Sequence, residues 1–174
     1  MTDDVVVKTH ETFILPPRVV SHIDVSRLVT EVEWVDNAMI SSEARVKTGA
    51  APTAMPALSD ELTEFLTQNQ LSLAESVDRT NLIKQLRLLK DKAPIIHMTF
   101  SAPADHESLA ELTKWLRESV HPQALIADGV QPALVAGVYV RTPNHIHDLS
   151  LRAVLAGQRG ELVKELETLR AGSN

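Results

Sequence analysis

The 174-residue sequence contains no cysteine. That single absence excludes disulfides, thiolate zinc sites, iron–sulfur clusters and cysteine nucleophiles. Aromatic residues are scarce: two Trp, one Tyr and three Phe, too few for a platform that stacks bases. Positive charge is short as well, with 17 Lys and Arg against 23 Asp and Glu, a net charge of −6. Gripping phosphates needs clustered cations, so no nucleic-acid partner is expected. The six glycines form neither a Gly-x-Gly-x-x-Gly turn nor a lysine-bearing phosphate loop, so no cofactor is expected. Apolar runs such as Leu134–Val140 fall far below the ~20 residues that span a bilayer. The opening Met1-Thr2-Asp3-Asp4 is acidic, whereas a secretory leader starts basic and turns apolar. These features predict a soluble protein of the cell interior with no direct membrane insertion.

What is present is ordinary globular material, 44% hydrophobic and 23% charged. The length accommodates one domain or two small ones. Val5–Leu15 is rich in β-formers and ends at Pro16-Pro17, which predicts an extended arm or one strand. Ile23, Val25, Leu28, Val29, Val32, Val35 and Met39 recur at spacings of three and four, the stripe of an amphipathic helix over about 23–45. Ser21 is its expected N-cap, with Asp24 completing an imperfect capping box. Gly49, Pro52 and Pro56 mark a loop. Ser59 opens a second helix with Leu62, Phe65 and Leu66 inward. A third, over about 78–90, carries Leu82, Ile83, Leu86 and Leu89 inward and Arg79, Lys84, Arg87 and Lys90 outward.

Beyond Pro94 the pattern changes. Residues 94–101 read as a strand, and Asp105 caps a helix whose apolar side is Leu109, Leu112, Trp115, Leu116 and Val120. Ala124–Ala127 and Leu134–Arg141 read as strands, Thr142-Pro143-Asn144 as a turn, and Ile146 as the start of a return stretch. Asp148 or Ser150 caps a last helix that Gly157 or Gly160 is placed to interrupt. The expected fold is α+β: a small helical bundle over residues 1–93, with an extended N-terminal arm, followed by a β-α-β-β-α domain over 94–174 ending in a helix.

Catalytic constellations are hard to find. His145 and His147 are spaced to share one face of a strand, but Leu149 and Ser150 stand where a metal-dependent hydrolase needs Asp and His. They read as turn and edge residues. His97 reads as a hydrogen-bonded core residue. Asp105, His106, Glu107 and Ser108 read as a helix start, where acidic groups complement the dipole. No catalytic residue and no metal site is assigned, and the expectation is a protein that binds other proteins.

The stretch Ala127–Leu155 reads ADGVQPALVAGVYVRTPNHIHDLSLRAVL. It resembles the C-terminal signature of the delta subunit of F-type ATP synthases, called in mitochondria the oligomycin-sensitivity-conferring protein. The family pattern opens with hydrophobic-Pro-x-Leu/Ile-hydrophobic-Gly-Gly, continues as a strand of alternating Val and Arg, and ends in Ile-Asp-Gly-Ser before a helix with Arg and Leu. Pro132, Leu134 and Val135 stand at the opening, and Ala136-Gly137 at the Gly-Gly. Val138, Val140 and Arg141 match the strand. Ile146, Asp148 and Ser150 match the next element, with His147 inserted and Leu149 at the Gly; Arg152 and Leu155 match the helix. Family members open with a six-helix bundle, whereas three helices are predicted here before Pro94.

The resemblance implies a non-catalytic peripheral-stalk connector at the cytoplasmic face of the cell membrane. Its partners would be N-terminal helices of the ATP synthase alpha subunit and C-terminal helices of the b subunit. The stripes expected to meet them are Val25, Leu28, Val32 and Val35 on the first helix and Leu162, Val163, Leu166 and Leu169 on the last. Each stripe also suits an internal core. The alternatives are a standalone protein-binding adaptor that reuses the delta C-terminal fold and a metal-dependent hydrolase built around His145 and His147.

Overall fold

The computed structural model describes residues 8–142 and 144–171. The fold is α+β, in the order α1 (His22–Lys47), α2 (Asp60–Asn69), α3 (Ser76–Lys92), β1 (Ile95–Phe100), α4 (His106–Ser119), β2 (Leu125–Val130), β3 (Gly137–Arg141), β4 (Ile146–Ser150) and α5 (Leu151–Ala171). The return stretch after the turn is thus a fourth strand. Two compact units divide the chain. One holds the residues up to Pro94 together with His106–Leu125; the other holds Ile95–Asp105 and the residues from Ile126 onward. This division differs from a cut at 93/94, because α4 belongs with the helices that precede β1.

In the helical unit the capping box forms in full: the Ser21 hydroxyl accepts from the Asp24 amide, and Asp24 accepts from the Ser21 amide at 2.8 Å. Val25, Leu28, Val29, Val32 and Val35 of α1 pack with Leu62, Phe65 and Leu66 of α2 and Leu82, Leu86 and Leu89 of α3 in one core. Fully burying each such side chain stabilises by about 1.5–3 kcal/mol. Ile23, expected on the same stripe, is 54% exposed at the helix start.

Arg79 overturns its expected outward position. It is fully buried, its Nε 2.7 Å from Asp36 and its Nη1 donating to the Leu73 and Ala74 carbonyls at 2.9 and 2.8 Å. Nη2 lies 3.8 Å from Glu43. A guanidinium leaves water at this cost only where several oxygens meet it. On α4 the apolar side is narrower than its sequence suggests. Leu109 and Leu116 are buried, but Trp115 and Val120 are exposed.

The described part of the N-terminal arm forms a 3-10 turn at His10–Thr12 and no strand; Val5, Val6 and Val7 lie outside the described residues. Side chains do the work of a neighbouring strand. The Asn69 amide accepts from the Ile14 N–H at 2.9 Å and donates to the Ile14 carbonyl at 2.8 Å. Gln85 accepts from the His10 N–H, and Gln123 donates to the His10 and Phe13 carbonyls. Arg117 of α4 donates to the carbonyls of Leu15, Pro16 and Val19. Burial lowers its pKa to about 10, which leaves it charged at neutral pH. Phe13 then meets Phe65 edge to face at 5.3 Å.

The other unit contains a four-stranded sheet in the order β2-β1-β3-β4. The Leu125 N–H donates to the Pro94 carbonyl and the Gln131 N–H to the Phe100 carbonyl, so β2 advances parallel to β1. β3 runs antiparallel to both β1 and β4. The buried apolar residues described in this unit are Ile96, Met98 and Ile126. α5 is one continuous helix through Gly157 and Gly160, although each glycine costs about 1 kcal/mol relative to Ala in a helix interior.

Candidate partner-binding surface

Of the positions matched to the delta-family pattern, Pro132, Leu134, Gly137, Asp148, Ser150 and Arg152 lie around one corner, where β3 begins and α5 starts, and Arg141 and Ile146 pair at the far end of the β3–β4 ladder. Pro132–Leu134 form a 3-10 turn. Val135 follows at φ +61° and ψ −55°, outside the regions a β-branched residue normally occupies. Gly137 has φ +100°, and a Cβ there would meet the Leu149 carbonyl and come within 2.7 Å of the Ser150 Cα. Glycine is therefore required: Gly137 pairs with Ser150 where β4 ends, and no side chain fits between the two backbones.

The helix start is built from the same corner. The Asp148 carboxylate accepts from the Ser150 N–H at 2.9 Å, and the Ser150 hydroxyl accepts from the Ala153 N–H at 3.2 Å. The Leu151 N–H donates to the Ala136 carbonyl. Asp148 thus shapes the turn and Ser150 caps the helix. Hydrogen bonds from the Ser150 side chain and backbone, with Arg152 nearby, hold the Asp148 carboxyl below its ordinary pKa. Val138 and Val140 are half-buried in β3, and Arg141 is exposed opposite His97 of β1. His97 is itself exposed, not a core residue.

The expected α1 surface is not available to a partner. Val25, Val32 and Val35 are 0% exposed and Leu28 is 2% exposed, because α2 and α3 consume that stripe in the core. The outer face of α1 carries exposed Ile23 and Trp34 instead, eleven residues apart along a shallow groove with Arg27 and Thr30 between them. Spacing alone places Ile23 with the buried stripe and gives no sign of Trp34.

α5 is different. Val163 and Leu166 are exposed, and so are Leu151, Val154 and Leu155 about two to four turns earlier. Leu162 and Leu169 lie outside the described side chains. α5 packs against β4, which runs directly into it, and its first residue bonds Ala136. A 21-residue helix with its apolar residues in water is an unusual use of apolar surface for a protein standing alone.

The rings of His145 and His147 lie 6.1 Å apart. Among the described residues no group of three or more His, Cys, Asp or Glu is placed to hold a metal ion. Among them also, no helix is long and apolar enough to cross a membrane. No family model matches the chain, and no curated protein matches it.

Proposed function

We propose that the chain is a non-catalytic connector, a delta-like peripheral-stalk subunit of an F-type ATP synthase, bound peripherally at the cytoplasmic face of the cell membrane. The observation that carries this reading is the exposed apolar surface of α5 in a unit with a small core of its own. Helix-on-helix packing along Leu151, Leu155, Val163 and Leu166 would seat the b-type stalk helices. The glycine-and-cap corner that launches α5 coincides with the residues that resemble the delta signature. On the helical unit, the Ile23–Trp34 face replaces the buried α1 stripe as the surface for an alpha-subunit helix.

The test is affinity capture of a tagged copy from gently solubilised membranes, with co-eluting chains identified by mass spectrometry. Recovery of ATP synthase alpha, beta and b subunits is expected. Leu155→Asp with Leu166→Asp should lose the b subunit, and Ile23→Asp with Trp34→Asp should weaken the hold on alpha. Synthase subunits present in the extract but missing from the eluate would refute the stalk role. The remaining reading would then be the adaptor, which the four-helix N-terminal unit favours over a six-helix bundle.

A further inference from the structure

We infer that α5 has a second form, an αα-hairpin closed over its own apolar residues, which opens into the long helix when a partner takes their place. Residues 151–166 read LRAVLAGQRGELVKEL. Leu151, Val154, Leu155 and Gly157 are matched in reverse order by Leu166, Val163, Leu162 and Gly160. Two helical arms folded back on each other run antiparallel, so a mirrored order brings apolar positions to the same heights on both arms. The arms would be Leu151–Ala156 and Glu161–Ala171, joined by Gly-Gln-Arg-Gly. Helical hairpins use loops of about 2–5 residues.

The glycines carry the next step. A Cβ on Gly157 or Gly160 meets nothing within 4 Å, and neither backbone has a positive φ. Neither packing nor conformation calls for glycine at these positions. What glycine supplies is a weak place in the helix, twice, on either side of the mirror point. Along the straight helix Leu151, Leu155, Leu162 and Leu166 share one stripe about 60° wide, and the two valines fall outside it. Val154 and Val163 are nine residues apart, which at about 100° per residue sets them on opposite flanks. One flat partner cannot cover both. Once the helix breaks, each arm turns independently and both flanks face inward. The hairpin is a property of this chain alone; only the identity of the opening partner rests on the stalk reading.

The cysteine-free sequence makes the test direct. Leu151 and Leu166 are both exposed and sit fifteen residues apart, about 22 Å along a continuous helix. A disulfide needs Cα atoms within about 7 Å. In the isolated full-length protein, Leu151→Cys with Leu166→Cys should form an intramolecular disulfide under mild oxidation. Adding Gly157→Ala and Gly160→Ala should slow that reaction at least tenfold while raising helicity by circular dichroism. Ala153→Cys with Lys164→Cys, at matched heights on the outer faces of the arms, should link at least tenfold more slowly than the first pair. Equal rates for the two pairs would mean a frayed chain and overturn the hairpin. Linkage only between two copies, or no linkage, would overturn it as well.

Discussion

The two units use their apolar residues in opposite ways. In the helical unit nearly every stripe that the sequence offers is turned inward, and even an arginine is enclosed. In the sheet unit buried apolar residues are few, and the longest apolar series, on α5, faces water. Both units draw on the same amphipathic vocabulary, so periodicity alone does not say what a stripe touches. What separates them is the number of elements available to cover each face. α1 has α2 and α3 beside it; α5 has β4 at its start.

This contrast breaks most visibly at Arg79. Arg79→Ala removes the donor to two loop carbonyls and leaves Asp36 without its partner, so urea unfolding should register a loss of about 3–5 kcal/mol. Next comes a matched pair of truncations. Leu86→Ala, at 0% exposure, should cost about 3 kcal/mol, while Leu166→Ala should stay within about 0.5 kcal/mol. Similar losses at the two sites would erase the distinction between the units. Asn69→Ala strands the N–H and carbonyl of Ile14, and a loss of about 2 kcal/mol is expected in the same measurement.

Two smaller effects sharpen the sheet side. Val135→Gly relieves a backbone conformation that valine resists and should raise stability by about 1 kcal/mol; a loss would mean that the valine side chain holds the turn. Asp148 gives the smallest effect and a pH signature. Its folded pKa lies below the ordinary 3.8, so its contribution is complete above about pH 4 and disappears as pH falls through the folded value. Amide exchange at Ser150 and Ala153 followed down a pH series should lose protection in that window, and Asp148→Asn should flatten the trend.

Much of the architecture was legible in residue spacing. The apolar repeats of α1, α2 and α3, the Ser21 and Ser59 caps, and β1 and β2 follow from patterns local in sequence, whereas the strand expected from Leu134 starts only at Gly137, because Pro132–Leu134 form a 3-10 turn and Val135 has a positive φ. Arg79 was not legible, because its oxygens come from α1 and from the α2–α3 loop, and nothing beside it in sequence announces them. The same holds for Asn69, Gln85, Arg117 and Gln123. Each bonds the N-terminal arm across 55 or more residues. Of the two stripes read as binding surfaces, the one on α1 proved to be core, while Val163 and Leu166, the two described residues of the other, are exposed. The deciding quantity was tertiary cover, which one-dimensional spacing does not carry.

The sewing of the N-terminal arm has a consequence for how the protein is made. Arg117, Gln123 and Leu125 complete a unit that begins at the first described residues, yet the ribosome delivers them last. At about 5–20 residues per second, the stretch from Lys92 to Gln123 takes roughly two to six seconds to synthesise. Throughout that interval three helices exist without their closing element, and the seat for Phe13 and Leu15 is unfinished. A nascent chain stopped before α4 is therefore a natural client for chaperones, and the sheet is begun before the helical unit can be closed.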